Sequence, residues 1–362
     1  MAVLRPAGEF DRSYAYDVAT VRRRWQWVLL VVFILALYGL PLYASQSLAA
    51  LVNRIGISIV AVQGLNLLVG YTGQISIGQA AFMTVGGYIS ALLVNNLGWS
   101  FFLALPAAAL GAGAIGLIFG LPSLRVKGFY LAMATLAAQF IIPWLTRNTF
   151  PDIFNGAQGL NVQVPVLPAL ASSQPGFGYA FNEPGRYLHI TLTVLLISTV
   201  AAHNVARSRM GRAFVSIRDN DLAAELLGVN LFKTKLQAFF LAAVYAGVAG
   251  ALAAHNLRHI NSETFSLVDS IFLLGMLVVG GLGTSLGPIL GAAVVELITE
   301  GATLFGPFFV SLVPSTAAGA VQALRPLFFG IALMLFLIFE PRGLAHRWQL
   351  FKAAWRLRPF SH

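Results

Sequence analysis

Few side chains in this sequence have the types and spacing that catalysis requires. There are six histidines and no cysteine, so thiolate nucleophiles, disulfides and cysteine-ligated metal sites are excluded. His255 and His259 lie four residues apart and would share a helix face, but two ligands alone do not make a metal site. No glycine directly precedes a lysine, so the chain lacks the G-x-x-x-x-G-K-[ST] loop that holds ATP phosphates. These absences argue against an enzyme, and we expect no metal.

Carboxylates within apolar segments are a second source of possible chemistry. Glu296 lies deep in an apolar segment, Glu300 follows one helical turn later, and Asp269 opens the preceding segment. A charge in lipid is costly and is usually paired or functional, so the intramembrane acid Glu296 must face a partner or a wet cavity. Arg54 and Asp269 can instead extend to the headgroups, which is the interpretation we favour for both. Proton-coupled carriers often have acidic residues in several spans, a pattern that is missing here.

The densest set of uncharged polar side chains lies between residues 63 and 79, where glycines also interrupt the helical pattern. Irregular backbone of this kind lines cavities at transporter sites, but it also fits a polar cytoplasmic turn, and composition leaves both interpretations open. A second glycine-rich break spans residues 279–288 and has no basic residue nearby to bind phosphate. The candidate translocation-path residues of the two breaks are Asn66, Thr72, Gly73, Gln74, Ser76, Gly78, Gln79, Gly281, Gly283 and Thr284.

The connection formed by residues 204–235 carries charges of both signs. Its pattern predicts a short helix with Asp221 as N-cap, Glu225 in the first turn and Gly228 as terminator. Mixed charge favours contact with a protein over contact with lipid, for which a purely basic face is typical. A short helix resting on the membrane surface is the plainer alternative. The candidate docking residues are Gly211, Arg212, Arg218, Asp221, Ala224, Glu225 and Gly228.

The whole chain has the composition of a membrane protein. Of its 362 residues 58% are hydrophobic and 10% are charged, whereas ordinary soluble domains have about 25% charged residues. A soluble fold of this size would lack the polar groups to cover its surface. The net charge of +10 is therefore interpreted as setting orientation in the lipid membrane, and no nucleic-acid partner is expected.

Apolar segments of the length that crosses a bilayer recur along the sequence. A helix needs roughly 20 apolar residues for this, and the pattern predicts an all-α polytopic membrane protein with about ten transmembrane helices. Residues 306–322, interrupted by Pro307 and Pro314, are expected to form a short re-entrant or interfacial helix. The predicted spans are 27–44, 48–70, 79–95, 99–120, 128–146, 187–203, 236–254, 267–282, 287–305 and 323–340.

Charge predicts the orientation of these spans. With ten spans and a cytoplasmic N-terminus, most basic residues fall inside, as the positive-inside rule requires; those left outside are Arg147, Arg186, Arg258 and Arg325. An eleventh span would place the basic C-terminal tail outside. The predicted organisation is a cytoplasmic tail (1–26), a membrane domain (27–340) with an external loop (147–186) and a cytoplasmic loop (204–235), and a cytoplasmic tail (341–362).

Four segments of the sequence carry a resemblance to a known family. They are GLNLLVGYTGQISIGQAAF (64–82), RVKGFYLAMATL (125–136), the loop 211–230, and GGLGTSLGPILG (280–291). With them the chain, over nearly its whole length after the N-terminal tail, resembles the permease subunits of branched-chain amino acid ABC importers. The resemblance is to the high-affinity Liv type, and within it to the LivM-like branch.

The resemblance implies half of a translocation path in a bacterial inner membrane. The implied partners are a second homologous permease subunit, two cytoplasmic ATP-binding subunits and an external substrate-binding protein. ATP and Mg would be bound by the partner subunits, so no cofactor is expected in this chain. The loop 211–230 would be the ATPase-coupling helix, since Ala223-Ala224-Glu225 with Gly228 is similar to the E-A-A…G signature of importer permeases, although the order differs.

Substrate and class still have alternatives at this point. Permeases of the same family serve urea, short amides or aromatic acids as well as branched-chain amino acids. An ion-coupled secondary carrier is the alternative from another class, and a membrane-embedded enzyme comes last. We also expect the external loop 147–186 to form part of the dock for the binding protein.

Overall fold

The structure, a computed structural model, describes residues 24–43, 45–123, 129–149, 151–165, 183–312 and 317–357. Two short strands pair antiparallel, β1 (Leu160–Asn161) and β2 (His259–Ile260). The helices are α1 (Arg24–Tyr43), α2 (Gln46–Leu65), α3 (Gln79–Leu97), α4 (Phe101–Ser123), α5 (Phe129–Asn148), α6 (Pro151–Phe154), α7 (Pro184–Arg207), α8 (Arg209–Asp219), α9 (Asp221–Leu226), α10 (Leu231–Leu257), α11 (Leu267–Gly280), α12 (Gly287–Leu312), α13 (Ala317–Phe339) and α14 (Leu344–Leu357).

The chain is a mostly helical protein whose apolar helices suit a membrane, and each predicted span overlaps one of them. The bent pair Pro326–Phe339 and Leu344–Ala354 counts as one further candidate span, and Trp27–Pro41 and Leu267–Gly280 are shorter apolar helices. The described helices that are long and apolar enough to cross on their own are Gln46–Tyr71, Gln79–Leu97, Phe101–Leu121, Pro184–Arg207 and Leu231–Leu257.

Two stretches differ from the expectation. Residues 306–312 continue α12 through Pro307, and residues 317–322 begin α13, so the described parts of 306–322 belong to two long helices. A proline is tolerated in such a helix where neighbours satisfy the freed backbone groups. The C-terminal tail is helical over α14. Arg125, Lys127 and Pro314 lie outside the described residues.

Helix α10 is the centre of the bundle and packs on α2, α3 and α4. Small residues permit this: a β-carbon at Gly247 would lie 2.6 Å from that of Ala112, and one at Gly250 would overlap the backbone of Met83. Gly116 likewise meets Ala243. Where lipid offers no hydrophobic drive for helix association, such contacts supply close packing. The glycine spacing in this sequence therefore serves packing within one chain.

The two ends of the bundle are built differently. At one end lies the 204–235 connection, and we call this the connection end. At the other, the far end, β1 and β2 pair, and the Asn95 side chain donates to the Asn161 carbonyl oxygen (2.6 Å). Buried His255 lies beneath this ribbon, where its Nδ1 donates to the Gln163 carbonyl oxygen (2.8 Å). The described part of the 147–186 loop is thus folded onto the far end.

Candidate functional site

The first glycine-rich break begins where α2 changes its winding. Residues Asn66–Tyr71 form a turn of π-helix, a feature that often marks functional positions. The Thr72 hydroxyl donates to the Leu68 carbonyl oxygen (2.5 Å), and Gly73 follows with φ +71°. A positive φ is costly for a residue with a β-carbon, which explains the glycine at this sharp turn. The chain then runs irregularly to Gly78 and enters α3.

Asn66 joins this break to the second one. Its Oδ1 accepts from the Gly283 backbone N–H (2.9 Å), and its Nδ2 donates to the Thr284 carbonyl oxygen (2.9 Å). The Thr284 hydroxyl in turn donates to the Gly281 carbonyl oxygen and accepts from the Gly287 backbone N–H at the start of α12. Two breaks that lie far apart in sequence are therefore one structural unit.

The polar side chains of the first break face the protein interior. Thr72, Gln74, Ser76 and Gln79 are all buried within this single chain. Gln79 donates to the carbonyl oxygens of Ala61 (3.1 Å) and Ala242 (3.2 Å), and so ties the start of α3 to the bundle. These residues form a packed polar layer, and within the isolated chain they do not line an open surface.

Gln74 and Ser76 are distinct within that layer. Neither the Gln74 amide nor the Ser76 hydroxyl has a hydrogen-bond partner in the described part of the chain, although both side chains are buried. Ile75 between them is exposed, so the backbone alternates as an extended segment does. An unpaired buried polar group costs about 1–3 kcal/mol. Within this layer, Gln74 and Ser76 are therefore the side chains that could gain from a new hydrogen-bond partner.

Thr135 of α5 holds the other side of the break. Its Oγ1 accepts from the Ile77 backbone N–H (3.0 Å). A β-carbon at Gly78 would overlap the Thr135 carbonyl oxygen, so this contact requires the glycine. The segment around Thr135 is thereby placed against the first break.

The 204–235 connection contains two helices, where the sequence predicted one. Helix α8 begins after Ser208, whose Oγ accepts from the Gly211 backbone N–H (3.4 Å), and it buries Phe214 and Ile217 against the bundle. Met210, Phe214 and Ile217 have helical spacing, a signal that the sequence interpretation missed.

Helix α9 is the predicted short helix, with two corrections. Its first turn contains Asp221, and not Glu225 as predicted, because the helix begins one residue earlier than expected. The N-cap is Asn220, whose Oδ1 accepts from the Ala223 backbone N–H (3.1 Å). Asp221 was predicted for this role, but it is the first helical residue and pairs with Lys235 of α10 (2.7 Å). A capping side chain accepts a hydrogen bond from a backbone N–H two or three residues later. Asn220 does this, whereas the Asp221 carboxylate points to Lys235.

The end of α9 agrees with the prediction. Gly228 has φ +85°, its N–H donates to the Glu225 carbonyl oxygen (2.9 Å), and the Val229 N–H donates to that of Ala224 (3.0 Å). This pattern is a Schellman motif. Ala224 faces inward and is buried, while Leu226 and Leu227 are 89% and 83% exposed. Helix α9 therefore presents a fixed apolar ridge at the connection end.

Arg218 connects α8 to the first break. Its Nη1 donates to the Gly70 carbonyl oxygen (2.9 Å), and its Nε donates to Asp219 (3.2 Å). Arg212, by contrast, bonds only locally, to the Arg207 carbonyl oxygen (3.4 Å), among the contacts of the described residues. The connection, the first break and the second break thus meet at one place.

The turn before α14 also reaches this place. Gly343 has φ +78°, and a β-carbon there would lie 2.5 Å from Gly281 Cα. The Arg342 carbonyl oxygen and Ala345 lie against Gly281, which has φ +111°. The end of α13 is therefore at the connection end.

The carboxylates of α12 lie beside α2. Buried Glu296 accepts from the Ser58 hydroxyl (2.7 Å), and Glu300 forms an ion pair with Arg54. The sequence indicated that Glu296 needs a partner but could not identify Ser58. Arg54 was expected to extend to the headgroups, and in the structure it pairs with Glu300. No group of three or more metal-binding side chains exists in the part of the chain that the structure describes.

The four segments singled out from the sequence come together at the connection end. The Thr135 segment and the Arg218 loop touch the first break, and Asn66 attaches the second break. A family model described as "Branched-chain amino acid transport system / permease component" matches residues 47–337. The chain belongs to this family.

Relatives of the permease agree with this assignment. The high-affinity branched-chain amino acid transport system permease protein LivM of Escherichia coli (strain K12) is 29% identical over 345 residues, which is 91% of this chain and 76% of that protein. A probable LivM of Methanocaldococcus jannaschii is 22% identical, over 84% of this chain and 85% of that protein. The ribose import permease protein RbsC of E. coli is 22% identical, over 77% of this chain and 84% of that protein. Among solved structures, PsaBC from Streptococcus pneumoniae in complex with Fab covers 89% of this chain and 99% of that chain, at 15% identity and a TM-score of 0.38.

Proposed function

We propose that the chain is a permease subunit of an ATP-binding cassette importer in the cytoplasmic membrane, and that its substrates are branched-chain amino acids. The strongest support for this proposal is the family match, which spans both glycine-rich breaks and the whole 204–235 connection. The LivM relatives are described as branched-chain amino acid permeases and RbsC as a ribose permease. Branched-chain amino acids are thus better supported than urea, short amides or aromatic acids.

The proposed orientation is supported by which elements share an end of the bundle. The turn before α14 and the 204–235 connection lie at the connection end. Tyr38 near the end of α1 contacts Thr193 in the first half of α7 (2.8 Å), which supports placing the start of α1 at the connection end as well. Together with the positive-inside rule, these contacts support ten spans with both termini in the cytoplasm.

The connection end would then bind the ATPase. Helix α9 is capped at both ends and tethered by Lys235, so its exposed apolar ridge is a rigid surface. Rigid exposed side chains bind a partner groove with little loss of conformational entropy. The residues assigned to this coupling surface and its support remain Gly211, Arg212, Arg218, Asp221, Ala224, Glu225 and Gly228.

The remaining subunits follow from the importer assignment. ATP hydrolysis would occur on two cytoplasmic ATP-binding subunits, because this sequence has no phosphate-binding loop for ATP. A second permease subunit would supply the other half of the path. An external binding protein would deliver substrate at the far end, where the β1–β2 ribbon and residues 151–165 lie.

We place a gate of the translocation path at the two joined breaks. An amino acid with an apolar side chain must pass without being held tightly, and neutral polar groups suit this better than fixed charges. In the isolated chain this polar layer is closed, and Gln74 and Ser76 are its unpaired members. Opening would expose them to substrate or water.

Reconstitution tests the function. The chain would be coexpressed with its partner ATPases, second permease and binding protein, and the complex placed in proteoliposomes. We expect uptake of labelled leucine, isoleucine or valine only with ATP and binding protein together. The control is a complex whose ATPases carry a substitution of the catalytic glutamate.

Other outcomes would redirect the proposal. Uptake driven by a proton or sodium gradient without ATP would favour the secondary carrier. ATP-dependent uptake of ribose or urea in place of leucine would keep the importer and reject the substrate.

A further inference from the structure

One guanidinium touches all three segments that meet at the connection end. Arg218 lies at the end of α8, donates to the Gly70 carbonyl oxygen in the π-turn of α2, and has its Nη1 2.7 Å from where a β-carbon at Gly283 would be. Its side chain therefore reaches from the connection to both breaks, which Asn66 joins to each other.

The electrostatics of this contact are favourable. The Gly70 carbonyl belongs to the last turn of the helix that starts at Gln46, where unpaired carbonyls carry partial negative charge. A cation at a helix C-terminus is stabilising, and a charge-assisted hydrogen bond is stronger than a neutral one. Arg218 therefore holds α8 to α2 through a specific polar contact.

Both breaks are shaped around this side chain. Gly73 and Gly283 have φ of +71° and +69°. A β-carbon at Gly73 would lie 3.0 Å from Arg218 Cγ, and one at Gly283 would lie 2.8 Å from the Gly70 carbonyl oxygen. A larger residue at either glycine would push against Arg218 or its acceptor.

The path from α9 to Arg218 is short and stiff. Asn220 ends α8 and caps α9, and buried Phe214 and Ile217 anchor α8. A displacement of α9 is therefore passed to α8, as well as to α10, which Lys235 ties to Asp221 of α9. Asn66 carries it further, since it ties the π-turn to Gly283 and Thr284.

We propose that Arg218 is a positioning residue that transmits movement of α9 to the two glycine-rich breaks. The proposal rests on the proposed importer function and deepens it. A movement of α8 shifts the Gly70 carbonyl through the Arg218–Gly70 hydrogen bond, and this shift moves the gate. The hydrogen bond thereby couples substrate passage to ATP hydrolysis.

Substitutions at Arg218 test the link in proteoliposomes that contain the complete importer. Arg218→Gln removes the charge, and we expect the number of substrate molecules transported per ATP hydrolysed to fall about tenfold. A change of this factor lies within the usual range of coupling between two sites of a protein. Arg218→Lys keeps a cation that can reach one carbonyl oxygen, and we expect it to recover most of that ratio. Arg209→Gln is the matched control, because Arg209 is an exposed arginine of the same helix.

A second readout reports on the gate itself. Leu282 lies between Gly281 and Gly283 and is exposed, and the chain has no native cysteine. Thiol labelling of Leu282→Cys should change when ATP and vanadate trap the complex. The change should persist with Arg209→Gln and disappear with Arg218→Gln.

The outcomes are separable. An unchanged transport-to-ATP ratio in Arg218→Gln, or an unchanged labelling response, would overturn the link. A loss that Arg218→Lys does not relieve at all would also reject the charged hydrogen bond as its basis. Wild-type vesicles without ATP-dependent uptake would overturn the proposed function itself.

Discussion

At the scale of single residues, the carboxylates of Glu296 and Glu300 each have a specific partner on the neighbouring helix α2. The partner of Glu296 is the Ser58 hydroxyl, and one helical turn away Glu300 pairs with Arg54. These contacts form a polar seam between α2 and α12. Such a seam is sufficient to explain the acidic residues without any coupling ion.

This assignment predicts the behaviour of Glu296→Gln. The amide oxygen can still accept from Ser58, so we expect leucine uptake within about twofold of wild type, as a retained hydrogen bond implies. Ser58→Ala removes the donor and should lower the melting temperature of the detergent-purified chain. Abolished uptake in Glu296→Gln with native stability would contradict the seam and revive an ion-coupled mechanism.

The sequence could indicate that Glu296 needs a partner, because burial of a lone carboxylate is costly. It could not identify Ser58, since the two residues are brought together only by the packing of α2 on α12. Gln74 shows the same limit, because its polarity was visible but its burial was not. Pairings across distant segments depend on tertiary structure.

At the scale of helices, the central helix α10 depends on glycines at its contacts. In Gly250→Ala the new methyl group would overlap the Met83 backbone, and overpacking of this kind costs about 1–3 kcal/mol. A lower melting temperature is expected. Gly301→Ala is the matched control: a β-carbon there meets nothing within 4 Å, and alanine is the better helix former by up to about 1 kcal/mol. Equal stability of the two variants would contradict the packing account.

Helix α9 gives a second prediction at this scale. Leu226→Asp places a charge on the exposed ridge, so the permease should insert and fold normally but bind the ATPase at least about tenfold more weakly, as loss of an interface anchor does. Leu226→Met keeps the apolar surface and should bind normally. The measurement is copurification followed by titration of the ATPase. Unchanged binding by Leu226→Asp would place the docking surface elsewhere.

Local signals explain why α9 was predictable and α8 was not recognised. The terminator Gly228 is a strong signal because the helix end requires a positive φ. At the start, Asn220 and Asp221 are both good caps, and only the contact with Lys235 decides between them. Helix α8 carries charges on its exposed face, and these obscured the helical spacing of its buried residues.

At the scale of the whole molecule, the sequence predicted the mostly helical fold with its apolar helices, and both glycine-rich breaks. Hydropathy and charge suffice for this, because the bilayer imposes them on every span. That the breaks touch could not be predicted, since Asn66 and Gly283 are 217 residues apart. Their contact makes one structural unit out of two separate breaks.

The position and sidedness of the gate that we propose at these breaks can be measured by thiol labelling of the naturally cysteine-free chain in membrane vesicles. Single cysteines at 72, 74, 76 and 79 lie in the buried layer, so in the resting complex all four should react slowly with an impermeant reagent from either side. Trapping with ATP and vanadate, or adding loaded binding protein, should raise labelling at 74 and 76 first, because these positions lack hydrogen-bond partners that hold them in place.

Two exposed positions calibrate the experiment. Ile75→Cys at the connection end should label from the cytoplasmic side in every state, and Leu97→Cys at the end of α3 should label from the outside. Labelling of 72, 74, 76 and 79 from the cytoplasm alone, at the same rate with and without nucleotide, would make the first break a fixed cytoplasmic turn. The translocation path would then run along other helices, and the hydrogen bonds of Asn66 would serve only to join the two breaks.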